Sequence, residues 1–180
     1  MYDGYAPIGY SAYERSMMGW LKVVELQEEG YYELHPFATG TDATQAFLLR
    51  NEENAAEYYI LENRQPNTWY PALLGSGMLV FHVDFDNSKW MSNTVNNDPK
   101  RQRYTLVPAD NDKSTHDETG EFTFDAFKGD LFPGTKGVTA LTDDTSPSTT
   151  VYTGGKLGKP IYNIQEKNGI VTFSYKNPDL

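Results

Sequence analysis

The stretch Gly77–Asp86, GMLVFHVDFD, sets His82, Asp84 and Asp86 at alternate positions. Read as a strand, it turns these three to one face with Met78 and Val80, and Leu79, Phe81, Val83 and Phe85 to the other, because side chains alternate with period two. An imidazole and two carboxylates on one face admit three readings. The first is a polar face without a role, ordinary at the solvent end of a half-buried strand. The second is a hard-cation site. Carboxylates at i and i+2 repel, a calcium ion turns that repulsion into attraction, and the following loop adds Asn87, Asn96, Asn97 and Asp98. Asp84 and Asp86 are then the first ligands, with Asn96 or Asp98 completing the shell, while His82 fits calcium less well than an oxygen donor. The spacing departs from the calcium-loop pattern, since Lys89 stands where glycine is needed and Val95 where a carboxylate is needed. The third reading is part of a catalytic centre. The sequence has no H-E-x-x-H, its three histidines (His35, His82, His116) are widely spaced, no serine lies in a G-x-S-x-G turn, and there is no cysteine. No catalytic or cofactor-binding residue is assigned.

The elements that must position these residues are mostly strands. Ser11 and Glu14 form a capping-box pattern, and Tyr10, Tyr13, Met17 and Trp20 recur at helical spacing, which predicts one short helix ended by Gly19. Strands are expected near 31–37, 45–51, 57–64, 77–86, 103–109, 121–127, 161–167 and 170–176, with no second helix. Asn168-Gly169 suits a two-residue type I′ turn, which would set Val171, Phe173 and Tyr175 opposite Glu166, Ile164 and Tyr162 and leave Ile161, Asn163 and Ser174 on a mostly polar outer face. Leu79, Phe81, Val83, Phe85, Ile164, Phe173 and Tyr175 are the expected core. The fold class is mainly β, an antiparallel β-sandwich-like domain preceded by one short N-terminal helix. Residues 1–21 hold the helix, and 22–180 form one β-rich unit.

Two long polar loops, DNSKWMSNTVNNDPKRQ and GDLFPGTKGVTALTDDTSPSTT, exceed the usual connection length, as functional loops commonly do. Glu62 and Arg64 fall on one strand face and are expected to pair. Asp110, Asp112 and Asp117 gather acids that either hold calcium or make a solvated turn. Gly154-Gly155 lacks the strand-before, helix-after setting of a phosphate loop.

Fifteen basic against twenty-five acidic residues give a net charge of −10, which repels phosphate backbones and anionic lipid, so no nucleic-acid partner is expected. No apolar run approaches the roughly 20 residues that span a bilayer, so no membrane insertion is expected, and the N-terminus lacks the basic-then-apolar pattern of a leader.

The order GYSAYERSMMGWL, YYILENRQ, GMLVFHVDFD, VNNDP, GDLFPGT, DDTSPS and GGKLGKPIYNI resembles the C-terminal half of the peptidase region of immune-inhibitor-A-like secreted zinc metallopeptidases of bacteria, over essentially the whole chain. The resemblance implies that 1–21 is the tail end of a catalytic region and 22–180 the β-rich part packed on it. In the family the zinc sits on an H-E-x-x-H helix and one further ligand, all before the segment matched here. None of those ligands can be placed on this chain. It implies a secreted parent enzyme with zinc, and possible calcium, as its metals. Its partners are then the N-terminal catalytic half and a protein or peptide substrate, and this chain alone is expected to be inactive. The His82–Asp84 face would then pack toward the catalytic half or hold a cation near it. The alternative is a stand-alone extracellular β-sandwich module binding glycan or protein, with Trp69, Tyr70 and Trp90 in or beside the loops.

Overall fold

The computed structural model describes residues 9–38, 41–67, 75–113 and 129–180. The expected strand at 121–127, and Trp69, Tyr70, His116 and Asp117, lie outside the described residues. The chain is mainly β. Helix α1 (Ala12–Met17) is followed by β1 (Val24–Glu25), β2 (Gly30–Leu34), β3 (Ala46–Asn51), β4 (Asn54–Arg64) and β5 (Gly77–Asp84). Helix α2 (Asn87–Met91), β6 (Tyr104–Leu106), β7 (Ile161–Lys167) and β8 (Ile170–Tyr175) complete it. Two sheets result, a five-stranded one in the order β1-β3-β4-β5-β6 and a three-stranded one in the order β2-β8-β7. All pairings are antiparallel except β1 with β3.

The main core lies between the two sheets. It joins Phe47, Leu49, Tyr59, Leu61, Met78 and Val80 of the large sheet to Leu34, Ile161, Ile164, Val171, Phe173 and Tyr175 of the small one. A second cluster covers the opposite face of the large sheet, where Ala12 and Tyr13 of α1 meet Ile60 and Val83, with Phe85, Trp90 and Tyr104 packed alongside. The large sheet is therefore covered on both faces, and this corrects the expected core. Met78 and Val80 enter the main core, Val83 is buried under α1, and Leu79, Phe81 and Phe85 are only partly covered.

Helix α1 forms for the expected reasons. The Ser11 hydroxyl accepts from the Glu14 N–H, and the Glu14 carboxylate accepts from the Ser11 N–H, which satisfies two otherwise unpaired donors. Its end is a Schellman turn: Gly19 sits at φ 73°, its N–H reaches the Ser16 carbonyl, and the Trp20 N–H reaches that of Arg15. Helix α2 was not expected. Asp86 caps it by accepting from the Ser88 N–H and hydroxyl, a cap hidden in what read as a cation ligand.

The β7–β8 hairpin turns at Asn168 and Gly169, both at positive φ as a type I′ turn requires. Val171 stands opposite Glu166 as expected, but the register slips between Tyr162 and Gln165. Asn163 at φ 54° takes up the extra residue. Beyond this bulge Ile161 opposes Tyr175 and is buried, whereas Tyr162 faces Ser174. Ser174 is buried too, because Asn163 bonds its hydroxyl and ties down the carbonyls of Pro178 and Leu180.

Candidate functional site

Alternation in β4 and β5 sends Glu57, Tyr59, His82 and Asp84 to the side of the large sheet that carries the main core, at the end where the apolar residues run out. Tyr59 stands directly opposite His82 and Glu57 opposite Asp84. The polar face of β5 is thus buried inside this chain and is not an outer face, nor one turned toward a missing partner. His82 and Asp84 are 6% and 2% exposed.

Burial of that many polar atoms requires partners, and the fold supplies them. The Glu57 carboxylate accepts from Nε2 of His82 at 3.0 Å, from the Asn51 amide at 3.0 Å, and from the backbone N–H groups of Tyr152 and Thr153 at 2.6 and 3.2 Å. A carboxylate only accepts, so Nε2 of His82 carries the proton and Nδ1 keeps a lone pair. Burial lowers the His82 pKa, Glu57 and Asp84 oppose that shift, and Lys113 adds to it, so the ring is neutral near pH 7. The Asp84 carboxylate accepts from Nε of Arg101 and Nη1 of Arg103, each at 2.8 Å. That ion pair raises the Arg101 pKa further.

His82 stacks on Tyr59 with centroids 4.7 Å apart and meets Tyr152 at a tilt with centroids 5.3 Å apart, and the Arg101 guanidinium lies 5.2 Å from the centre of the Tyr152 ring. Burial, with Glu57 next in weight, raises the Tyr59 pKa, so its hydroxyl stays a donor and binds the Thr150 carbonyl. Beside this stack opens a recess of about 260 Å³, walled by His82, Tyr59 and Tyr152 and by the β6 segment.

The four candidate cation ligands are each engaged by protein. Asp84 holds Arg101 and Arg103. Asp86 caps α2 and lies 3.5 Å from Arg103. The Asn96 carbonyl oxygen accepts from the Arg103 and Tyr104 N–H groups, and Asp98 accepts from the Lys100 N–H. Among the described residues no three His, Asp or Glu side chains are grouped to hold a metal ion. Asp110 and Asp112 are joined by a residue the acidic pattern did not include, Asp130. Backbone bonds from Ala109 to Asp130 and from Asp110 to Gly129 bring them side by side. The approach is close: a Cβ on Gly129 would stand 1.9 Å from the Asp110 carboxylate, which would have to turn aside. Burial, then Asp110, then Asp112, push the Asp130 pKa up to about 6.

Glu62 and Arg64 do pair, at 2.8 Å and in full burial. Glu62 also accepts from the Ala12 N–H at 2.7 Å and lies 3.7 Å from Arg15, so the pair ties the start of α1 to the sheet. Sequence reasoning missed Glu57, Arg101, Arg103 and Tyr152. The one available signal was that Glu57 opens the strand expected at 57–64, the neighbour of β5 in the sheet. Comparison of the chain with family models, with curated proteins and with solved structures found no match in any of the three.

Proposed function

We propose that this chain is the β-rich C-terminal part of a secreted zinc metallopeptidase, serving as a packing or substrate-side domain for a catalytic half that precedes it. The observation that supports this reading is an exposed apolar surface at α1. Tyr10, Met17 and Trp20 are 56%, 57% and 66% exposed, and the Tyr10 and Trp20 rings meet edge to face at 5.9 Å. Contiguous apolar surface of this kind marks contact with another body, and it lies in the segment GYSAYERSMMGWL, where the resemblance places the junction with the catalytic half. The Glu62 bonds hold that surface in a fixed position on the sheet. The sequence has no H-E-x-x-H, so the zinc ligands of the family have no counterpart in it. No catalytic step is assigned to its residues.

The test is the reading frame upstream of Met1. An in-frame H-E-x-x-H segment is expected, and an in-frame stop immediately upstream would overturn the reading. The purified chain, assayed on casein with added zinc, should show no cleavage, because water without a metal keeps a pKa near 15.7. Chelator-sensitive cleavage above a mock purification would count equally against it. A second reading, an extracellular binding module, is favoured by the recess beside His82, and a signal peptide encoded directly before this segment would select it.

A further inference from the structure

The recess beside His82 has a composition unlike that of the rest of the chain. The protein carries ten more acidic than basic residues, yet among the described residues no acidic side chain lines this space, and Lys113 is its one permanent cation. Lys113 is exposed and has no ion pair among the described residues. Val107 and Pro108 give the recess apolar lining and His82, Asn111 and Ser148 give it polar lining, while the Leu106 side chain turns with Phe81 to the other face of the sheet. Glu57 fixes the His82 tautomer and leaves Nδ1 as a hydrogen-bond acceptor, while the Tyr59 and Tyr152 rings hold the imidazole plane. The Glu57 network fixes the strands around His82, and in doing so it holds one imidazole nitrogen free of that bond. A concave site with a few placed polar groups and a perturbed titratable residue is the usual form of a ligand pocket.

We propose that this recess binds a small organic carboxylate with an adjacent N–H donor, an α-amino acid or the C-terminal residue of a peptide. Lys113 receives the carboxylate, Nδ1 of His82 accepts from the N–H, and Val107 and Pro108 receive an aliphatic side chain. The volume of about 260 Å³ is below the roughly 300–1,000 Å³ of pockets for drug-sized ligands, which limits the occupant to about one residue. The site needs no catalytic half, so its failure would leave the peptidase reading untouched.

The experiment is an NMR titration of labelled protein with N-acetyl-L-leucine, N-acetyl-L-leucine amide and free L-leucine. Saturable shifts of the His82 imidazole and of the 105–107 amides are expected with N-acetyl-L-leucine. Removing the charge, by the amide or by Lys113→Met, should weaken binding about fivefold, the upper range for an exposed ion pair. Lys136→Met, a remote exposed change, should not. If free leucine binds as tightly as its acetyl form, the ligand is an amino acid; if only the acetyl form binds, it is a peptide end. Equal affinity for acid and amide, or no movement of His82, would overturn the proposal. Lys113→Met is a surface change, so an unaltered melting temperature separates lost binding from lost fold.

Discussion

Glu57 and Asp84 on one side, and Asp130 on the other, are all buried acids in opposite surroundings. Glu57 is fully buried among four donors, and Asp84 among two guanidiniums. Asp130 is 7% exposed beside Asp110 and Asp112, and no described residue donates a hydrogen bond to its carboxylate. A buried charge is tolerated when donors replace its water, and is displaced toward the neutral form when other charges of its sign stand near. The first arrangement fixes a structure; the second makes the fold sensitive to pH.

The largest effect should come from breaking the satisfied group. Glu57→Ala leaves the Tyr152 and Thr153 N–H groups, the Asn51 amide and the His82 ring without their acceptor. Loss of one member of such a buried network costs about 3–5 kcal/mol, much of the roughly 5–15 kcal/mol that holds a domain together. Urea unfolding should show the midpoint collapsing with unchanged slope. A cost under about 1 kcal/mol would mean that the segment at 152–153 is held by something else.

Asp130→Asn should act in the other direction. A carboxylic acid whose folded pKa is raised binds its proton more tightly when folded, so stability falls as pH rises from the unfolded value of 3.8 to about 6. Above that window the whole penalty is present, up to about 3 kcal/mol at about 1.4 kcal/mol per unit. The variant removes the charge and should therefore be more stable than the parent at about pH 7.5, with the gain fading below about pH 4. Melting curves at the two pH values check it, and a gain that persists in acid would point to packing and not to charge.

These contrasts also separate what the sequence could disclose from what it could not. Ser11 with Glu14, and Asn168 with Gly169, are local signals, and both produced the expected helix start and turn. The alternation of β5 was equally plain, but alternation does not say which face meets the larger core. Here α1 and Trp90 cover one face and the small sheet the other, so the more apolar set, Leu79, Phe81, Val83 and Phe85, faces the smaller cluster. His82 looked isolated because its partners are distant in sequence, Glu57 by 25 residues and Tyr152 by 70. Asp130 was invisible for the same reason: only the bonds from Ala109 and Asp110 bring it beside Asp112. The bulge at Asn163 lies in a segment that otherwise reads as regular strand, and one inserted residue exchanged the faces of Ile161 and Tyr162.

The smallest effect, and the finest test of the comparison, concerns His82. Burial lowers its pKa despite the Glu57 bond, so in the window between the folded value and the ordinary 6.5 the unfolded chain binds more protons than the folded one. Stability contributed by the neutral ring is then complete above about pH 6.5 and is lost as pH falls below it, the reverse of the slope that Asp130 imposes. The two slopes overlap in the parent and partly cancel, but Asp130→Asn removes one and should leave the other visible as a melting temperature that declines from about pH 7 toward pH 5. The proton itself can be followed by NMR of the His82 ring, whose midpoint should lie below the ordinary 6.5. A midpoint above 6.5 would show that Glu57 outweighs burial, and one well above 7 would make the dyad an ion pair at neutral pH.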